Sequence, residues 1–226
     1  MAWSVNNIYE SVLFLLRKNQ AGSVTAKDLF YAWNIEQNAY HSDLTGKWQA
    51  KSNGKSGANT GLILNEVILT QLSPFTMPAS LTIVSGIAQK PDDFIYELAL
   101  RFNGEKVTKI THGQKSYVTK DVIDPPSVTD SKFYVTEYEN YYSVLPEETT
   151  GSLQLDYIAS CNDIIWGFTY DADGRHIYDP TTSVQPKWSN PTIIEITKRT
   201  LTSFGVSFKD ADFERFGQRN TVTGDS

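Results

Sequence analysis

Apolar side chains near the start of the chain recur at helical spacing. Val5, Ile8, Val12, Leu15 and Leu16 fall on one face of a helix predicted over residues 3–19. Ala21, Gly22 and Ser23 interrupt the pattern. A second helix is predicted from Thr25, whose hydroxyl can cap it, with Asp28 three residues on in capping-box position. Leu29, Trp33 (or Ala32), Tyr40 and Leu44 then line one face. So short a break predicts an antiparallel helical hairpin over residues 1–45. Residues 51–61 carry Gly54, Gly57 and Gly61 and almost no apolar side chain, which predicts a loop, mobile in a free subunit.

From about residue 62 to residue 178 the period shifts toward two. Stretches 81–84, 95–100, 133–136, 153–157 and 165–170 are rich in β-branched and aromatic residues and suit strands. Pro125 and Pro126 separate two of these regions, because proline cannot donate to a ladder. Residues 101–120 show no clear period. The helical pattern returns at Asn190, expected as a cap, with Pro191 at the first helical position; Ile193, Ile194, Ile196 and Leu201 form the stripe and Gly205 the stop. A short helix is expected over 209–216, with Phe213 and Phe216, and a frayed tail over 218–226. Helices, then strands, then helices indicate an α+β fold. The expected layout is one domain over 1–226: an N-terminal helical hairpin (1–45), a central, mainly antiparallel β region (62–180) and C-terminal helices (190–217).

Composition fits a folded chain. Hydrophobic residues make up 40% of the 226 positions, aromatics 12% and charged residues 20%. A disordered chain has fewer aromatics and more charge. Cys161 is the single cysteine, so no intrachain disulfide forms; an inert, buried thiol is expected there. The apolar run from Val12 to Leu16 is too short for a secretory signal, and nothing approaches the ~20 apolar residues of a membrane span. Folding in a cytosol is expected.

The net charge of −6 is unevenly spread. Residues 1–120 carry 12 Lys/Arg and 9 Asp/Glu (+3), residues 121–180 carry 2 and 12 (−10), and residues 181–226 carry 6 and 5 (+1). An acidic middle disfavours nucleic-acid binding, which draws its affinity from cations at phosphates. It suits a solvated face, a channel wall or a basic partner. Asp121, Asp124, Asp130, Glu137, Glu139, Glu147 and Glu148 are expected to be exposed or paired with another chain.

Candidate chemistry is thin. Gly54-Lys55-Ser56 matches the end of a phosphate-binding loop, but Gln49 stands where that loop needs glycine. Asp171-Ala172-Asp173-Gly174 has the start of a calcium loop, but Pro180 replaces the terminal glutamate, so Asp173-Gly174 is better explained as a hairpin turn. His41, His112 and His176 lack ligand spacing and a neighbouring nucleophile. Glu147 and Glu148 lie in a polar loop without an acid/base rationale. No catalytic, cofactor-binding or metal-binding residue is assigned, and an enzyme is not expected. What remains is aromatic. Tyr134, Tyr138, Tyr141 and Tyr142 form one group and Trp166, Phe168, Tyr170 and Tyr178 another, types that dominate protein–protein hot spots. Candidate interface residues are Trp3, Tyr9, Phe30, Trp33, Tyr40, Tyr138, Tyr141 and Tyr142.

Three stretches together carry a resemblance. They are the N-terminal region (Asn7 through Gly22, Asp28-Leu29-Phe30, Ala39-Tyr40), then Leu155-Asp156-Tyr157-Ile158 with Trp166 to Tyr170 and Gly174 to Val184, then Trp188-Ser189-Asn190 through Phe204 to Asp210. The chain resembles the neck or tail ring (head–tail connector) virion proteins of crAss-like short-tailed bacteriophages, with residues 46–130 matching least. The resemblance implies a homo-oligomeric ring of twelve or six copies in the virion, made in the host cytoplasm and placed between the portal and other neck or tail proteins. DNA would pass through at genome ejection without specific contact. It carries over no catalytic residue. An alternative from the residues alone is a β-rich binding module, such as a phage or bacterial surface adhesin using exposed aromatics.

Overall fold

The computed structural model describes residues 3–18, 24–53, 59–121, 125–128 and 132–205. The fold is α+β, with helices in the N- and C-terminal regions and a large, mainly antiparallel sheet. Where one domain is expected from the sequence, the chain divides into two compact units: Met1–Pro74 with Cys161–Ser226, and Phe75–Ser160.

The first unit is helical. Helix α1 spans Val5–Lys18, α2 spans Ala26–Asn53 and α3 spans Asn59–Leu72. The expected stripe of α1 is its buried face: Val5, Ile8, Val12, Leu15 and Leu16 are all buried. Thr25 caps α2 as anticipated. Its Oγ1 accepts from the Asp28 N–H at 3.2 Å and donates to Asp28 Oδ2 at 2.6 Å, so the carboxylate holds the capping hydroxyl. Two expectations fail here. Helix α2 continues to Asn53 and α3 starts at Asn59, so the predicted loop is helical at both ends, while 54–58 lie outside the described residues. Residues 62–72, assigned to the β region, are also helical. A run of Leu, Ile and Val fits either a buried strand or a buried helix, and period alone does not separate them.

Helix α5, Asn190–Ser203, completes this unit; α2 packs chiefly on α5 and α3, and α1 packs on α5. The cap is Ser189, one residue before the expected Asn190, whose Oδ1 instead accepts from the Trp3 N–H at 3.1 Å. Gly205 does stop the helix, with φ +77° and its N–H on the Thr202 carbonyl. The expected helix 209–216 and tail 218–226 lie outside the described residues. The mid-face of α2 is polar yet buried. Asn34 brackets the Ile164 backbone, donating to its carbonyl (3.1 Å) and accepting from its N–H (3.0 Å). Gln37 donates to the Asn162 carbonyl at 3.0 Å. These two amides hold 162–164 against the helix. A small hairpin follows, Phe168–Tyr170 with His176–Tyr178. Its turn contains Asp171 to Arg175, with Gly174 at φ +76°, as the Asp-Gly signal predicts.

The second unit is a β-barrel. Its strands are β1 (Thr76–Val84), β2 (Ile87–Gln89), β3 (Phe94–Phe102), β4 (Glu105–Lys106), β5 (Thr108–Lys109), β6 (Tyr134–Glu137), β7 (Tyr141–Leu145) and β8 (Gly151–Ala159). The order is β4-β3-β8-β1-β2-β7-β6-β5. The two ends of this order, β4 and β5, are separated in the chain only by Val107, so one short stretch pairs with β3 and with β6 and closes the sheet on itself. Register shifts between Phe94 and Tyr96 and between Glu97 and Ala99 bend β3, as closure requires. Leu81, Ile83, Leu100, Phe102, Val107, Val135, Tyr142, Val144, Leu153, Leu155 and Tyr157 fill the interior. Helix α4, His112–Thr119, lies between β5 and β6. Its capping box is complete: Thr111 Oγ1 accepts from the Gln114 N–H, and Gln114 Oε1 accepts from the Thr111 N–H.

Candidate functional site

The sequence-predicted interface residues divide between core and surface. Trp33 is fully buried, its Nε1 donating to Thr197 Oγ1 at 3.2 Å, and Phe30 is buried beside it in the sequence of α2. Tyr142 is fully buried inside the barrel. These three side chains are core, not interface. Phe30 and Trp33 turn inward because α3 and α5 both pack on α2 and widen its buried arc, and Tyr142 because it faces the barrel interior. Trp3 and Tyr40 are half-buried. Tyr40 meets Trp188 edge-on at 5.6 Å, and the Arg199 guanidinium lies 4.9 Å from its ring centre. Burial, together with the Glu195 charge, raises the Tyr40 hydroxyl above its ordinary value.

Tyr9 leads to a surface. It is half-buried and lies 5.1 Å from Trp166 and 6.3 Å from Phe30, ring centre to ring centre. Trp166 is fixed by its Nε1 donating to Asn6 Oδ1 at 3.1 Å. Its ring stacks on Phe168 at 5.9 Å and approaches Tyr178 at 6.0 Å. On the hairpin, Phe168 and Tyr170 alternate onto one face, opposite Tyr178 and His176 in the register. His176 touches both Phe168 (4.2 Å) and Tyr170 (5.1 Å). A largely apolar groove of about 450 Å³ runs from this face to the start of α2, floored by Phe30, Tyr31, Ile164, Ile165 and Trp166. Tyr31 is 72% exposed and Tyr170 66%, and Ile35, Ile165 and Ile177 are each more than half exposed or close to it. Tyr31, Ile165 and Phe168 line this groove as exposed apolar side chains, the kind of surface that binds other molecules. The sequence grouped Trp166, Phe168, Tyr170 and Tyr178 and counted Tyr31 in the aromatic load of the N-terminal helices, but it missed Ile165 and His176. Period-two alternation across 168–178 was the available signal for His176, which shares a face with Phe168 and Tyr170.

The hairpin backbone is also open. Among the described residues its two strands pair with each other and join no other sheet. Gly167, at its base, is closely packed: a Cβ there would overlap the Thr182 side chain and come within 2.8 Å of the Ser183 nitrogen. Gly167 N–H donates to Ser183 Oγ at 2.9 Å. The base of the hairpin is thus rigidly held while its face is exposed.

On the barrel, Tyr138 and Tyr141 are half-buried and stack on each other, centres 4.6 Å apart with 9° between the planes, with His112 edge-on to Tyr138 at 4.5 Å. The sequence placed these tyrosines at an interface, and they do reach the surface. Beside them lies a charge network that residue spacing could not reveal, because its members come from five separate segments. Lys109 Nζ bridges Glu97 Oε2 (2.7 Å) and Glu137 Oε2 (2.9 Å), Lys90 Nζ reaches Glu137 Oε1 (2.9 Å), and the Tyr142 hydroxyl donates to Glu97 Oε2 (2.8 Å). Burial alone would raise the Glu137 carboxyl, but Lys90 and Lys109 outweigh it and hold it below the ordinary value. Burial would lower the Lys109 ammonium, but Glu97 and Glu137 prevail and raise it. Burial, with Glu97, pushes the Tyr142 hydroxyl far up. Each cation here is matched by a carboxylate.

Of the acidic side chains expected to be solvated, Asp121, Glu137, Glu139, Glu147 and Glu148 are exposed, with Glu137 also paired as above; Asp124 and Asp130 lie outside the described residues. Cys161 is half-buried, and burial is the main cause that pushes its thiol up to about 12. Among the described residues, no group of His, Cys, Asp and Glu is placed to hold a metal ion, and no helix is long and apolar enough to cross a membrane. The chain matches no family model and no curated protein sequence.

Proposed function

We propose that this chain is a structural virion subunit that forms an oligomeric ring in the portal–tail neck of a short-tailed bacteriophage, joining head to tail around the path of the DNA. The observation that carries the reading is the exposed aromatic face of the Phe168–Tyr178 hairpin and its groove, a surface suited to another protein chain. A ring needs a head-to-tail contact whose rotation closes. In this reading the hairpin face supplies one side of that contact. The exposed carboxylates between 121 and 148 stay solvated and offer DNA no cations, which lets it slide.

Native mass spectrometry of the full chain, alone and mixed with isolated portal rings, tests this. The expected result is a closed assembly of six or twelve copies. The double variant Phe168→Ser/Tyr170→Ser should stay folded and weaken assembly at least about a hundredfold, as loss of a hot-spot pair does. A wild-type protein that stays monomeric in both settings contradicts the reading.

A further inference from the structure

The barrel depends on a very short closing element. β1 pairs with β8 over eight positions and β3 with β8 over seven, each a long ladder. The closing stretch 105–109 pairs with β3 at only Arg101↔Lys106 and Phe102↔Glu105, and with β6 at only Thr108↔Tyr134 and Lys109↔Val135. Val107 is its one buried residue; Glu105, Lys106, Thr108 and Lys109 are exposed. The Val107 N–H bond to the Leu100 carbonyl is long, 3.4 Å, while the Ile110 N–H reaches the Val135 carbonyl at 2.9 Å. Helix α4, which follows, buries no side chain and is tethered to the barrel by Lys115 Nζ on Ser143 Oγ at 2.9 Å.

Against this thin backbone pairing, one side chain spans the seam. Lys109 joins Glu97 of β3 to Glu137 of β6, the two strands that the closing stretch separates. Lys90 secures Glu137 from the β2 side, and Tyr142 of β7 secures Glu97. We infer that residues 105–109 form a strap that detaches without unfolding the rest of the barrel, with Lys109 as its latch. Lifting the strap exposes Val107 and frees one edge each of β3 and β6, and a free edge is the kind of surface that accepts an added strand. Stability is unevenly distributed in proteins, and segments with few buried contacts open first. This inference does not depend on the ring reading.

Native-state hydrogen exchange on the full chain tests it. In the wild-type protein the Val107 and Ile110 amides should exchange through an opening with little denaturant dependence, well ahead of amides in β8, which is paired on both sides. Lys109→Met keeps the aliphatic stem and removes the charge; it should speed exchange at Val107 and Ile110 by about tenfold and leave β8 unchanged, since it removes two charge-assisted bonds. The inference is overturned if Val107 and Ile110 exchange at the β8 rate with the β8 denaturant dependence. It is equally overturned if Lys109→Met accelerates strap and β8 alike. The wild-type measurement stands alone should the variant fail to fold.

Discussion

The interior positions of the barrel strands and the face of the Phe168–Tyr178 hairpin use aromatic side chains differently. In the barrel, Tyr142 and Tyr157 are buried, and the Tyr157 hydroxyl is satisfied by Asp93 at 2.8 Å, burial pushing it up to about 12. The sheet there closes on itself through the 105–109 stretch, although β1 pairs with β2 only at Ile83 and Val84. In the helical unit, Phe168 and Tyr170 project from a hairpin that forms a two-stranded sheet among the described residues. An isolated hairpin of three-residue strands has marginal stability by itself. Here Trp166 and the close packing at Gly167 hold its base. The difference teaches that aromatic content says little until the backbone pairing is known: the inward positions of a closed sheet hide their rings, and a hairpin held from below displays those on its open face.

Substitutions can break this comparison from either side. The largest effect is expected at Trp33, fully buried with a satisfied indole. Trp33→Ala should cost about 3–5 kcal/mol through lost contacts and a cavity. Urea denaturation followed by circular dichroism checks it. A loss below about 1 kcal/mol would mean that Trp33 is not the core residue its burial indicates. On the barrel side, Gly86 has φ +70°, and an added Cβ would lie 3.0 Å from Glu147 Cα and from the Val144 carbonyl oxygen. Both contacts are backbone and cannot swing away. Gly86→Ala should therefore destabilise by about 1–3 kcal/mol. Its fingerprint is a shift of the barrel amides in NMR with the Phe168–Tyr178 resonances in place.

A smaller effect belongs to the latch network. The folded Glu137 carboxyl lies below its ordinary value of 4.5, so its stabilisation is complete above 4.5 and is lost as pH falls through the depressed value. Lys109 is raised above 10.5, so its share is complete below 10.5 and is lost as pH rises through the higher value. Glu137→Gln should flatten the acid limb of a thermal-stability profile. An acid limb identical to the wild type would separate Glu137 from the stability of the barrel. The effect is modest because both side chains are partly exposed and screened by solvent.

How far the sequence reaches follows the same divide. Helix α1 was legible because its stripe and its buried face coincide, and the start of α2 because Thr25 and Asp28 make a local cap. The Asp-Gly turn at 173–174 was legible for the same local reason. Helix α3 was not, because Leu62, Ile63 and Leu64 with Val67, Ile68 and Leu69 are compatible with either period. Helix α4 was hidden although its Thr111–Gln114 capping box stands in the sequence, since a helix that buries nothing has no stripe. Barrel closure lay beyond sequence reasoning: nothing in residues 105–109 states that they pair with both β3 and β6. The interface residues were legible by type and not by burial. Trp33 and Tyr142 turn inward because of packing partners distant in the chain, whereas Ile165 and Ile177 stay about half exposed.

The proposed ring places a contact between copies on the hairpin face and groove of the helical unit. Hydrogen exchange of the full chain at low and at high protein concentration tests it most directly. The account predicts concentration-dependent protection over Thr25 to Asn34 and over Ile165 to Tyr178, with rates in Phe75–Ser160 unchanged. Protection that appears instead on the barrel strands, or nowhere at any concentration, would contradict it.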